Sequence, residues 1–87
     1  MYVIAVYDVQ QERVDKVCRL LRRYLNWVQN SAFEGELSKS QLESLRFELL
    51  DIINPQTDSV YLYILRDAKW MRKEILGQEK GLTENII

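Results

Sequence analysis

Met1-Tyr2-Val3-Ile4-Ala5-Val6-Tyr7 opens the chain as a nearly unbroken apolar run, rich in β-branched and aromatic residues, and it stops abruptly at Asp8. Such a run predicts a central strand buried on both faces. From Gln11 to Leu25 the period changes. Val14, Val17, Cys18, Leu21, Tyr24 and Leu25 recur at helical spacing and form one stripe. Lys16, Arg19 and Arg23 fall on the opposite side, with Arg13 and Arg22 flanking them. The second element is therefore an amphipathic helix with a basic outer face.

Working outward, strand character returns over Trp27 to Leu37, where Asn30-Ser31 is either a tight turn between two short strands or a bend within one. Ser38, with Gln41 three residues later, predicts a capping box opening a second helix. Leu42, Leu45, Leu49, Ile52 and Ile53 form its apolar face, and Asn54-Pro55 ends it, because the residue before proline avoids helical geometry. Asp58 leads into a further strand, Ser59 to Leu65. Beyond it, Lys69 to Leu76 reads as a short strand or a helical turn, broken by Gly77 and Gly81. Glu84 to Ile87 is a short segment suited to pairing with a sheet edge. This order fits an α+β class, a ferredoxin-like βαββαβ sheet with an extra C-terminal strand. We expect one domain over residues 1–80 and a tail at 81–87. A split βαβ sheet carries both helices on one face. Strands that are apolar on both faces then need a cover for the other, and a second copy of the chain, a homodimer, provides one.

With 87 residues the chain has room for one domain of modest core, which dimerisation would reinforce. A single cysteine excludes an internal disulfide, and Cys18 falls on the apolar stripe, as a core thiol does. The absence of histidine excludes Ser–His or Cys–His nucleophilic sites and histidine-based zinc sites. The opening apolar run lacks a basic leader and is far too short to span a bilayer, so a cytoplasmic location with no membrane partner is expected. Net charge is −1, but five of the twelve basic residues crowd between Arg13 and Arg23. A polarised molecule of this kind holds a phosphate backbone on one face despite a neutral total.

Asp8 is the leading candidate for chemistry. A carboxylate at the end of the first strand is a hard oxygen ligand suited to Mg2+ or Mn2+; the competing role for an Asp between strand and helix is capping. One carboxylate is a poor metal site, whereas a homodimer with its axis near Asp8 supplies two. Arg13, Lys16, Arg19, Arg22 and Arg23 are the candidate phosphate contacts, or else an ordinary solvated face. Trp27 and Phe33 point to the same side of a continuous strand and serve packing, a dimer interface or base stacking. Phe47 lies off the apolar stripe of the second helix and is a candidate partner contact.

Three stretches together, Tyr7-Asp8-Val9, Val28-Gln29-Asn30-Ser31-Ala32-Phe33-Glu34-Gly35-Glu36-Leu37 and Asp58-Ser59-Val60, resemble the CRISPR-associated Cas2 family over nearly the whole chain. The resemblance implies a ferredoxin-like homodimer whose C-terminal strands reach across to the partner subunit. It also implies a magnesium-dependent endonuclease acting on single-stranded RNA or duplex DNA, with Asp8 from each subunit as metal ligand. Tyr7, Ser31 and Phe33 map to the family motifs, and Arg13 and Lys16 map loosely to its basic positions. Trp27 stands where many members carry Arg, and Leu25 where Gly is usual. Two functions follow as expectations: a metal-dependent nuclease, or an adaptor that bridges the Cas1 integrase and holds the spacer duplex, with Asp8 merely structural. A toxin-like ribonuclease of similar fold is the third.

Overall fold

The computed structural model describes residues 1–81. In chain order it contains β1 (Tyr2–Asp8), α1 (Gln11–Tyr24), β2 (Asn26–Gln29), β3 (Ala32–Glu36), α2 (Lys39–Ile52) and β4 (Ser59–Leu65), followed by a 3-10 turn at Ala68–Trp70. The sheet order is β2-β3-β1-β4 with every neighbouring pair antiparallel. Two interleaved βαβ units with this order are the ferredoxin-like arrangement that the periodicity predicts. The expected tail strand lies outside the described residues, apart from Gly81.

Local chemistry explains the elements. Asn30 takes a positive φ of 44°, a conformation asparagine tolerates, and it turns the chain so that Trp27 pairs with Phe33 across a hairpin. The segment from Trp27 to Leu37 is thus two strands and not one bent strand. Ser38 caps α2 as expected: its hydroxyl accepts from the Gln41 N–H at 3.1 Å, and its own N–H donates to Gln41 Oε1 at 2.8 Å. Lys69 to Leu76 contains one 3-10 turn, capped by Asp67, and no strand.

Val3 and Ala5 of β1 and Phe33 of β3 pack with Val17 and Leu21 of α1 and Leu45 of α2, all fully buried. Removing the side chain beyond Cβ at such a leucine costs about 2–5 kcal/mol. The alternate residues of β1, Tyr2, Ile4 and Val6, face the other way and are only half-buried. Opposite Val6 and Ile4, the β4 residues Tyr61 and Tyr63 stay 60% and 54% exposed. The first strand is therefore central but covered by helices on one face alone. Sequence cannot separate a strand buried in its own chain from one awaiting a partner, because both are apolar throughout. Past β4 the chain returns toward the β2 edge, where Lys73 bonds Glu34 and Gly81 backs onto the Trp27 carbonyl.

The two crossover connections meet at Asp58. Its side chain is wholly buried. It accepts from the Gln10 N–H at 2.9 Å, the Asn54 N–H at 2.9 Å, Arg13 Nε at 2.5 Å and Arg13 Nη2 at 3.1 Å. The Arg13 guanidinium, foremost, and the two backbone N–H groups hold this carboxyl well below the usual carboxylate range, against the opposing effect of burial. A carboxylate whose folded pKa is depressed contributes stability that is complete above its unfolded value, about 3.9, and is lost as pH falls below it. Asp58→Asn should therefore melt at lower temperature than wild type near neutrality, with the gap closing below about pH 4. Thermal melts across that range check this; a gap independent of pH would show that charge is not what Asp58 supplies.

Candidate functional site

Asp8 ends β1 and pairs in register with Ser59 of β4. Alternation along the strand, with Val3 and Ala5 under the helices, places Asp8 on the open sheet face beside Val6 and Tyr61. It is exposed and makes no hydrogen bond or ion pair with the described residues. The capping role is overturned: Gln10 is the N-cap of α1, without a side-chain bond, and Asp58 satisfies the Gln10 N–H instead. Among the described residues no group of three or more His, Cys, Asp or Glu side chains converges to hold a metal ion. Asp8 therefore belongs to no such group among the described residues.

Its neighbours in the motif face inward. Tyr7 bonds its hydroxyl to Cys18 Sγ at 2.8 Å and stands 6.4 Å from the Phe33 ring, centroid to centroid. Burial, then the Cys18 bond, pushes the Tyr7 phenol up to about 12, so it stays protonated at neutral pH. Cys18 is thus half-buried beneath the sheet, next to the core. Phe33 has no exposed surface, which removes base stacking from its possible roles. Ser31 contributes its backbone carbonyl, which accepts from the Tyr7 N–H at 3.1 Å and extends the β1–β3 ladder. Trp27, half-buried on the same face, donates its indole N–H to the Asn30 carbonyl at 3.1 Å.

The five basic residues do not form one group around Asp8. Arg13 lies at the Asp8 end of α1 but is bound to Asp58, with a further bond to Thr57 Oγ1 at 3.2 Å. Lys16 and Arg19 are exposed on the outer surface of α1. Arg22 and Arg23 occupy the last turn of α1, about 14 and about 15 Å along the axis from Arg13 at roughly 1.5 Å per residue. Arg23 reaches Glu48 of α2 at 3.4 Å, and Glu48 also takes the Tyr24 hydroxyl. Since both helices cover the face opposite Asp8, the basic surface and the carboxylate look away from each other across the sheet.

Sequence reasoning missed Asp58 as a structural centre. Asn54-Pro55-Gln56-Thr57-Asp58 carries a turn signal: the Asn54 side chain accepts from the Gln56 N–H at 3.0 Å, and its carbonyl takes the Asp58 N–H at 2.8 Å. Nothing in that signal identifies Gln10 and Arg13, more than forty residues earlier, as the partners of the carboxylate. No helix among the described residues is long and apolar enough to cross a membrane.

Comparison with known proteins agrees with this geometry. The family model of CRISPR associated protein Cas2 matches residues 1–73. A protein of Archaeoglobus fulgidus named CRISPR-associated endoribonuclease Cas2 2 is 54% identical over 94% of this chain and 89% of its own length. One from Dictyoglomus turgidum named CRISPR-associated endoribonuclease Cas2 is 48% identical over the full length of both. Among solved structures, a crystal structure of cas2 superposes with a TM-score of 0.83 at 50% identity, covering 92% of this chain and 90% of that one. Streptococcus pyogenes Cas2 gives a TM-score of 0.75 at 33% identity, over 88% of this chain and all of that one. With the fold and nearly the whole length in common, the chain belongs to the Cas2 family of CRISPR-associated proteins.

Proposed function

We propose that the protein acts in the cytoplasm as a homodimeric adaptor of CRISPR spacer acquisition. It pairs through its open sheet face, bridges the Cas1 integrase and supports spacer duplex DNA on its outer helical surface. The observation that carries this reading is the placement of Asp8 and the basic surface on opposite faces of the sheet. An adaptor uses two faces separately, one to hold its own copy and one to meet a phosphate backbone. Lys16, Arg19, Arg22 and Arg23 are the duplex contacts in this reading, while Arg13 serves the fold through Asp58.

The second reading, a metal-dependent nuclease for single-stranded RNA or duplex DNA, has its own support. The carboxylate of Asp8 is exposed and unpaired among the described residues, on the face proposed to meet a second copy, and the Archaeoglobus and Dictyoglomus relatives are named endoribonucleases. Two-fold pairing near the ends of β1 brings two such carboxylates into one site, a donor set that suits Mg2+ or Mn2+. When bound there, the ion supplies Lewis-acid stabilisation of phosphate charge and a more acidic water. Asp8 of each protomer would hold it, and the half-buried apolar residues beside it, Val6 and Ile4, would exclude bulk water once paired.

Two outcomes are expected. Val6→Glu, which places a charge in the middle of the open face opposite Tyr61, should shift the protein from dimer to monomer in sedimentation while leaving helix content unchanged. A dimer of unchanged mass would place the self-contact elsewhere. Asp8→Asn should leave dimer mass and helix content as in wild type, because its carboxylate bonds no described residue. In a cleavage assay with labelled single-stranded RNA and duplex DNA, with and without EDTA, metal-dependent cleavage lost in Asp8→Asn supports the nuclease. Duplex binding without cleavage, equal in both proteins, leaves the adaptor alone.

A further inference from the structure

Asp8 is the last residue of β1, and the sheet holds it from one side only. The β1–β3 register ends at Val6 and Ala32, with one further bond from the Tyr7 N–H to the Ser31 carbonyl. The β1–β4 register runs on to Asp8 and Ser59. The Asp8 carboxylate bonds no described residue, so its direction follows from the backbone that carries it. Asp58 closes that backbone into a ring. Two residues after Asp8, the Gln10 N–H donates to Asp58 Oδ1 at 2.9 Å, and one peptide bond joins Asp58 to Ser59, the cross-strand partner of Asp8. Arg13 faces the buried carboxylate with the opposite charge. The hydroxyl of Thr57, an exposed residue, adds a bond to Asp58 Oδ1 at 3.2 Å.

We propose that Asp58 is a positioning residue for Asp8, an inference that rests on the nuclease reading. Through the Gln10 N–H and Ser59 it fixes the strand end, so that the Asp8 carboxylates of the two protomers present one geometry to a divalent cation. A two-fold axis repeats any displacement of Asp8 in the partner subunit, so an error at one strand end enters the separation of the donors twice. Divalent cations respond to such an error unequally. Mg2+ demands near-ideal octahedral geometry, whereas Ca2+ accepts irregular arrangements of oxygen. Groups that orient a metal's ligands without touching the metal are commonly worth about 10-fold to 100-fold in affinity. An Asp58 that served stability alone would lower the melting temperature on removal and leave the metal preference of the folded dimer unchanged.

The test measures Mn2+ affinity by electron paramagnetic resonance, with Mg2+ and Ca2+ as competitors, in wild type, Asp8→Asn, Asp58→Asn and Thr57→Val. Each protein is held below its melting temperature with its dimer mass confirmed, and cleavage of labelled single-stranded RNA supplies kcat and KM. Asp8→Asn should abolish the Mn2+ site. Asp58→Asn should weaken it by about 10-fold to 100-fold, lose more affinity for Mg2+ than for Ca2+, and lower kcat with KM for RNA unchanged. Thr57→Val leaves the Arg13–Asp58 pair in place. It should move the same quantities in the same direction by about 2-fold to 10-fold, the equivalent of one hydrogen bond, and it carries the comparison if Asp58→Asn does not fold. Metal affinity and preference equal to wild type in the folded variants overturn the inference and leave the nuclease reading standing. A raised KM with unchanged metal affinity assigns the cluster to RNA and overturns it as well. Mn2+ binding that does not depend on Asp8 in the wild-type protein sinks the nuclease reading itself, and the inference with it.

Discussion

The Asp58 carboxylate is the junction on which the functional end of this fold depends. The β1–α1 and α2–β4 connections arrive side by side, and each brings a backbone N–H, from Gln10 and Asn54, that no helix or strand satisfies. A buried anion answers both, and Arg13 from the first turn of α1 neutralises it. Hydrogen bonds to an ionised acceptor are stronger than neutral ones, and removing Arg13 leaves the buried Asp58 charge without its counter-ion. Because Asp58 immediately precedes Ser59, and Ser59 is the register partner of Asp8, the same cluster sets where Asp8 sits. It also releases Asp8 from capping α1. A carboxylate that bonds no described residue then stands at the strand end.

How far the sequence discloses this follows from distance along the chain. The capping box at Ser38 and Gln41, the leucine stripe of α2 and the basic stripe of α1 are local patterns, and the structure reproduces them. The hairpin between Trp27 and Phe33 turns on the backbone state of Asn30, which a dipeptide alone does not decide. Arg13 reads as a surface cation because helical periodicity knows only its own helix. The aspartate that claims it lies forty-five residues later. Phe33 shows the reverse case: an aromatic in a half-polar segment suits a stacking platform until the register with Ala5 sets it beneath both helices.

One-sided helical cover has a further consequence. Charge in this chain sums to near neutrality, yet α1 keeps Lys16 and Arg19 outward while the open face around β1 and β4 is built from Ile4, Val6, Tyr61 and Tyr63. The Tyr61 and Tyr63 rings lie 6.4 Å apart, centroid to centroid, and present a broad amphipathic surface. Such residues bury large areas at little rotamer cost and find partners for their hydroxyls at a wet rim. A face of this kind favours self-association over nucleic acid. The outer helices keep the cations that a polyanion needs.

Trp27 brings these strands of reasoning together. The family resemblance expects Arg there, and the structure shows what the replacement does. The indole packs against the core on the helical side of the sheet, pairs with Phe33 and ties itself to the Asn30 carbonyl. A cation at that position would stand on the same side as α1, away from Asp8. Exchanging it for a ring therefore leaves the open face as it was and withdraws one positive charge from the surface that would face a duplex. In exchange the short β2–β3 hairpin gains packing that an edge strand of four residues otherwise lacks. In the adaptor reading, phosphate contact on that side falls to the cations of α1 itself, among which Lys16 and Arg19 are those that point outward without a carboxylate partner among the described residues.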